Sequence, residues 1–185
     1  MVAVSRVAPF YTPTMPRSGR PMSVAMTNCG VLGWFSDRQG YRYQAAHPVT
    51  HSPWPPIPKM LLELWAELTA YPGLPEACLV NWYRPGARLG LHRDDDEEDF
   101  SAPVLSVSLG DSCLFRLGGL ERKDSTRSLR LASGDVMALA GEARLAYHGV
   151  DRLIAGSSTL LGRHPDLFGE GGRISLTLRR VTRLG

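Results

Sequence analysis

Arg173-Ile174-Ser175-Leu176-Thr177-Leu178-Arg179 alternates polar and apolar side chains without a break. Successive side chains of a strand point to opposite faces, so Arg173, Ser175, Thr177 and Arg179 share one face while Ile174, Leu176 and Leu178 share the other. The segment is either a half-exposed strand with its polar face in water or a strand whose polar face lines a site. Arginine offers a planar fork of donors that suits a carboxylate, so two of them on one face fit a dicarboxylate such as 2-oxoglutarate. Six steps of strand cover about 20 Å, and both arginines reach one small molecule only through curvature and long side chains. Arg173 is the better-placed anchor.

Upstream of this strand the same short-strand texture runs back to Ala77. Cys78–Tyr83, Arg88–His92, Val104–Leu109, Cys113–Leu117, Ser128–Leu131, Val136–Ala140 and Ala143–His148 read as strands, with Ile174–Val181 as the last. Arg84-Pro85-Gly86, Gly118-Gly119 and Ser133-Gly134-Asp135 supply turn chemistry between them. Short strands at this spacing predict a mainly β fold, a double sheet of the jelly-roll (double-stranded β-helix) type. One flanking helix is expected over Pro58–Ala70, where Leu61, Leu64, Trp65 and Leu68 fall at helical spacing and Tyr71-Pro72-Gly73 ends the run. Residues 22–45 read as short strands or a hairpin, and His47–Pro58 as a proline-dense loop. Residues 1–21, with Pro9, Pro13, Pro16 and Pro21, read as an extended lead-in to a single domain over 22–185.

No stretch approaches the length of an apolar membrane span, and the first residues lack the apolar run of a secretory signal. Cys29, Cys78 and Cys113 are widely spaced, odd in number and outside any CxxC pattern, as expected of free thiols in a reducing cytoplasm. The net charge of +3 conceals six consecutive acids, Asp94 to Asp99, set against 19 arginines and 2 lysines. Such a basic surplus is compatible with a phosphate-bearing partner.

His92-Arg93-Asp94 lies at the end of one predicted strand, and Tyr147-His148-Gly149 follows some fifty residues on. A His-x-Asp pair places imidazole and carboxylate on one side of an extended segment, and a second histidine completes the facial triad of non-haem Fe(II) oxygenases. Taken singly, His92 and His148 are as well read as satisfied structural histidines, and Asp94 as part of a solvated acidic run. Gly149 beside His148 permits close approach of a ligand.

Several motifs, in order, carry a more specific resemblance. They are Met22-Ser23-Val24-Ala25-Met26-Thr27-Asn28-Cys29-Gly30, Asn81-Trp82-Tyr83-Arg84-Pro85-Gly86, the His92–Asp94 segment, Ala102-Pro103-Val104-Leu105-Ser106-Val107-Ser108-Leu109-Gly110, Gly118-Gly119-Leu120, Gly134-Asp135-Val136, Tyr147-His148-Gly149 and Arg173–Arg179. From Pro21 to Val181 the chain resembles the AlkB family of Fe(II)/2-oxoglutarate-dependent nucleic-acid dealkylases, its bacterial members above all.

The resemblance implies iron ligation by His92, Asp94 and His148, with Fe(II), 2-oxoglutarate and O2 as the working set. It implies co-substrate contacts from the Asn81-Trp82-Tyr83 segment and from Arg173, Ser175, Thr177 and Arg179, with Asn81 and Tyr83 facing the ligand and Trp82 turned away. Residues from about 22 to 58 would form a nucleotide-recognition segment. Substrate contacts would fall on Trp34, Tyr41, Arg42, Tyr43, Asp96 and Arg122, with Trp34 and the ring of His92 sandwiching an extruded base. Methylation at N1 of adenine or N3 of cytosine makes the base cationic, which gives Asp96 an electrostatic role.

The implied partner is alkylated DNA, single- or double-stranded, with RNA as a further class, acted on by a cytoplasmic monomer without a membrane. The products would be succinate, carbon dioxide and formaldehyde. Phosphate contacts are expected at Arg122, Lys123 and Arg127, away from the remaining acids, which read as solvated. Three departures stand out: Ser175 where the family has asparagine, Ala138-Leu139-Ala140 in place of a bulkier aromatic stretch, and a start close to the first shared motif. The rivals are a related oxygenase acting on a protein or small molecule and a catalytically silent jelly-roll binding module.

Overall fold

A computed structural model describes residues 1–185. Eleven strands and three helices follow one another, and no helix is long and apolar enough to cross a membrane. The major sheet is antiparallel and ordered β1-β4-β11-β6-β9, from β1 (Ala25–Gly30), β4 (Ala77–Tyr83), β11 (Arg173–Arg179), β6 (Val104–Gly110) and β9 (Val136–Leu139). The minor sheet is ordered β5-β10-β7-β8, from β5 (Leu89–His92), β10 (His148–Ile154), β7 (Ser112–Leu117) and β8 (Arg127–Leu131). A separate hairpin joins β2 (Gly33–Asp37) to β3 (Gly40–Gln44). The two sheets face each other as a jelly roll.

Helix α2 (Lys59–Leu68) begins at Pro58 and turns Leu61 and Trp65 onto the outside of the major sheet. There Trp65 packs in one cluster with Cys78, Val80, Ile174, Leu176 and Leu178, while its indole N–H donates to the Gly73 carbonyl at 2.9 Å. That covers the apolar face of β11. A second cluster, with Leu79, Tyr83, Cys113, Phe115 and Val150, fills the space between the sheets. The polar face of β11 turns into that same space, so all seven of its residues are buried and the half-exposed reading of this strand is corrected. A buried row of Arg, Ser, Thr and Arg needs partners of its own, and this row points to a site.

Two further expectations need correction. The extended lead-in contains helix α1 (Val2–Val7), which buries Val4 against the core. Its four prolines all fall beyond residue 8 and leave the first turns free to form. Ala143–His148 is not a strand. Gly141 turns the chain at φ 53°, and the amides of Ala143, Arg144 and Ala146 bond back three residues, which takes them out of any ladder. His148 therefore opens β10 rather than closing a strand.

Candidate active site

Strand pairing brings the two histidines together, since His148 at the start of β10 lies directly opposite His92 at the end of β5. Asp94 follows in the loop after β5. One ligand atom from each of the three falls within 4.8 Å of the others. The Nε2 atoms of His92 and His148 lie 3.7 and 3.6 Å from the Asp94 carboxylate oxygens. Each Nδ1 meets a carbonyl, Gly90 at 3.0 Å and Ala146 at 2.9 Å. A carbonyl only accepts, so Nδ1 carries a proton in each ring, and Nε2 is the atom left facing Asp94 and available to a metal.

Electrostatics agree. Burial lowers the His148 pKa and outweighs the pull of Asp94, keeping the ring neutral. Burial alone would raise the Asp94 pKa, but Arg179, His148, His92 and Arg144 together bring it down to about 2. A neutral His148 and an ionised Asp94 result, with His92 half-buried at the open side. The donor set fits a ferrous ion with positions left for other ligands.

Gly149 keeps this register possible. A Cβ there would lie 2.5 Å from the Leu89 carbonyl oxygen and 2.9 Å from Gly90. Gly149→Ala is expected to push β5 off β10, lower stability by about 2 kcal/mol and weaken metal affinity about tenfold. Denaturant midpoints and metal titration check this.

Arg173, Asn81, Tyr83, Ser175, Thr177 and Arg179 line the same cavity as the triad. Arg173 is 1% exposed. It donates to the Ser108 hydroxyl at 2.9 Å and lies 5.3 Å over the Tyr83 ring. Its Nε and Nη1, and the amide oxygen of Asn81, are buried without partners. Buried donors on a cation left unpaired are costly, and a carboxylate is the acceptor that would satisfy them. An anion would also select the flipped Asn81 amide, turning its NH2 inward. Ser175 bonds the Ser106 hydroxyl at 2.9 Å. The cavity therefore fits the carboxylates of 2-oxoglutarate as well as the metal.

Trp82, although within the co-substrate segment in sequence, does not line the cavity and is turned away, as its place between Asn81 and Tyr83 requires. Strand alternation turns it to the opposite face, against Phe10 and Phe168, with its N–H on the Gly171 carbonyl at 3.0 Å. Arg179 is largely engaged by protein: it reaches Asp94 and Glu97 at 2.9 Å each and the Tyr43 hydroxyl at 3.1 Å.

Glu97 is the main residue the sequence concealed. Expected to be solvated, its side chain is 0% exposed and joins Arg144 at 3.0 Å, Arg179 and the Tyr43 hydroxyl. Arg144 also donates to the carbonyls of Asp94 and Ala102, each at 2.7 Å, and so fixes the loop that presents Asp94. The Arg-Leu-Ala-Tyr-His-Gly run ahead of His148 was the available signal for Arg144. Ser106 and Ser108, alternating on β6, were the signal for the hydroxyls opposite β11. Glu97→Ala would leave two buried guanidinium groups short of a counter-charge. The expected cost is about 3 kcal/mol, read as a lowered denaturant midpoint.

The hairpin supplies the rim. Trp34 stacks on Tyr41 at 5.4 Å and 23°, and its indole N–H donates to Asp96 at 2.7 Å, tying the hairpin to the loop after β5. His92 packs against His148 at 4.5 Å between centroids. Burial raises the Asp96 pKa, with Glu97 and Asp95 adding to the rise against the Trp34 bond. Tyr43 bonds Glu97, and Arg42 pairs with Asp37 at 2.8 Å with its guanidinium 4.7 Å over the Phe35 ring. Arg122 lies exposed in the loop between β7 and β8.

Comparison with known proteins agrees with this geometry. The family profile of the 2OG-Fe(II) oxygenase superfamily matches residues 1–179. An alpha-ketoglutarate-dependent dioxygenase AlkB homolog of Caulobacter vibrioides is 60% identical over 163 residues, covering 88% of this chain and 71% of that protein. The AlkB dioxygenase of Escherichia coli is 48% identical over 157 residues, covering 83% and 72%. The solved structure of OsALKBH1 superposes with a TM-score of 0.71 at 30% identity, covering 92% of this chain and 84% of that one.

Proposed function

This chain belongs to the 2OG-Fe(II) oxygenase superfamily, and from that premise we propose that it removes alkyl groups oxidatively from N-alkylated bases of DNA and RNA. The observation that carries the reading is the His92–Asp94–His148 cluster sharing one cavity with the unpartnered donors of Arg173. It is an enzyme that uses Fe(II), 2-oxoglutarate and O2.

His92, Asp94 and His148 would hold the iron, and Arg173 with Asn81 would hold the co-substrate. When bound, these partners supply the oxidation: 2-oxoglutarate leaves as succinate and carbon dioxide, and the N-methyl carbon is hydroxylated and lost as formaldehyde. The protein's own task is orientation. Arg179 keeps Asp94 ionised and aimed, and Arg144 fixes its backbone. Thr177 and the paired Ser106 and Ser175 hydroxyls fill out the polar wall. Tyr41, exposed and stacked on the buried Trp34, offers an aromatic face at the rim for a base taken out of its stack. Asp96 beside them favours the cationic charge of 1-methyladenine and 3-methylcytosine over the neutral bases. Single-stranded substrate is preferred, because extrusion costs least there.

Residues 22–185 act as the catalytic domain, with 22–58 carrying base recognition, in a cytoplasmic monomer. Three buried free cysteines support the reducing compartment. The test measures formaldehyde and succinate released from oligonucleotides carrying 1-methyladenine or 3-methylcytosine, beside a peptide panel. Equimolar products that require 2-oxoglutarate and arise only with the oligonucleotides are expected. Turnover of peptides alone would assign a different oxygenase, and no turnover together with no iron affinity would indicate a binding module.

A further inference from the structure

Six consecutive acids beside the active site make an awkward approach for a polyanion, and the minor sheet offers another. Its inward residues, among them Phe115, Val150 and Cys113, belong to the core between the sheets. The alternate residues face out in two rows fixed by register. One row is Ser128, Arg116 and Gly149, and the next is Arg130, Leu114 and Arg152. Residues two apart on a strand stand about 7 Å apart, so the guanidinium groups are spread along the face rather than stacked at one point.

A groove of about 310 Å³ runs beside the first row, floored by Gly90 and Gly149 and walled by Arg88, Arg116 and Thr126. Arg116 is aimed by the Thr126 hydroxyl at 3.2 Å and by Asp151 at 3.5 Å. Asp151, the one acid lining the groove, also meets Arg152 at 3.6 Å. Arg88 is held through its backbone, its N–H donating to the Ser23 hydroxyl and its carbonyl accepting from it. The guanidinium groups of Arg88 and Arg130 are exposed and take no protein partner.

We propose that this outer face docks the phosphodiester backbone of the nucleic acid whose alkylated base enters the active site, an inference that rests on the function proposed above. A glycine floor lets a backbone come close, and arginine forks suit phosphate oxygens. His148 and Gly149 are consecutive on β10, so the metal cluster and the groove occupy opposite faces of one β5–β10 edge. A strand leaving the site round that edge meets the arginine rows.

The test compares the full chain with Arg88→Ala/Arg130→Ala/Arg152→Ala and with the matching triple lysine variant. Affinity for an unmodified 15-nucleotide single strand is measured against salt concentration, and turnover is measured on a methylated trinucleotide. Each lost phosphate contact removes about 0.7 from the slope of log affinity against log salt. The alanine variant should therefore lose about 2 in slope and bind at least about tenfold more weakly at low salt. The lysine variant should retain most of both, and trinucleotide turnover should hold in all three. An unchanged slope and affinity in the alanine variant overturns the docking face. Trinucleotide turnover reads the proposed activity separately, so either inference can fail alone.

Discussion

Asp94→Ala is expected to reduce turnover to assay background, a loss on the order of 10³-fold or more. No side chain supplies the oxidation that the metal centre performs, so the effect of a lost ligand is close to the whole of catalysis. Asp94 is 5% exposed, accepts from Arg179 at 2.9 Å, and faces both Nε2 atoms. Its removal takes away the only negative ligand and leaves Arg179 with Glu97 as its remaining counter-charge, beside the Tyr43 hydroxyl. Asp94→Asn separates the two consequences, because it keeps the volume and an acceptor oxygen while removing the charge. Ferrous or cobaltous affinity should fall steeply in both variants, whereas the denaturant midpoint should fall much more in the alanine. A variant that kept metal affinity but lost stability would make Asp94 a structural partner of Arg179 and nothing more.

Arg173→Ala carries the second large effect, on co-substrate rather than on metal. Two charge-assisted hydrogen bonds at about 1.5–3 kcal/mol each are at stake. The 2-oxoglutarate KM is thus expected to rise by about 10²- to 10⁴-fold, with a smaller change in kcat under saturation. Arg173→Lys should recover only part, since an ammonium cannot reproduce the planar fork. The apo protein should respond in the opposite sense. Two donors of Arg173 are buried without partners, so Arg173→Met is expected to leave the Tm of the ligand-free chain unchanged or higher. The stabilisation that 2-oxoglutarate gives the wild type should vanish in that variant. A lowered apo Tm with normal 2-oxoglutarate stabilisation would reduce Arg173 to a packing residue.

The strands and their turns were legible because local signals, period-two alternation and Gly/Pro punctuation, settle them. What β11 faces was not legible. Arg173, Ser175, Thr177 and Arg179 alternate in the same way whether their face meets water or an enclosed polar cavity, and only the opposing minor sheet decides. Glu97 was hidden for a related reason. An acid inside a run of six looks solvated, and its partners Tyr43, Arg144 and Arg179 lie 54, 47 and 82 residues away along the chain.

Helix α1 escaped because the prolines that suggested an extended lead-in begin only after it. The start of β10 was displaced because the alternation in Arg144-Leu145-Ala146 mimics a strand, while backbone bonds to residues three back close a turn. The triad was readable from residue type and spacing, but its tautomers depend on the Gly90 and Ala146 carbonyls, which no motif encodes. Arg42 and Tyr43 show the converse limit: their nearest partners, Asp37 for the one and Glu97 with Arg179 for the other, are encoded in no motif.

An anaerobic crystal structure of the chain with Fe(II) and 2-oxoglutarate tests the central claim most directly. One iron bound by Nε2 of His92, the Asp94 carboxylate and Nε2 of His148 is expected, with a co-substrate carboxylate on Nε and Nη1 of Arg173. Iron held by any other set of residues, or a co-substrate that leaves Arg173 unpaired, would contradict it.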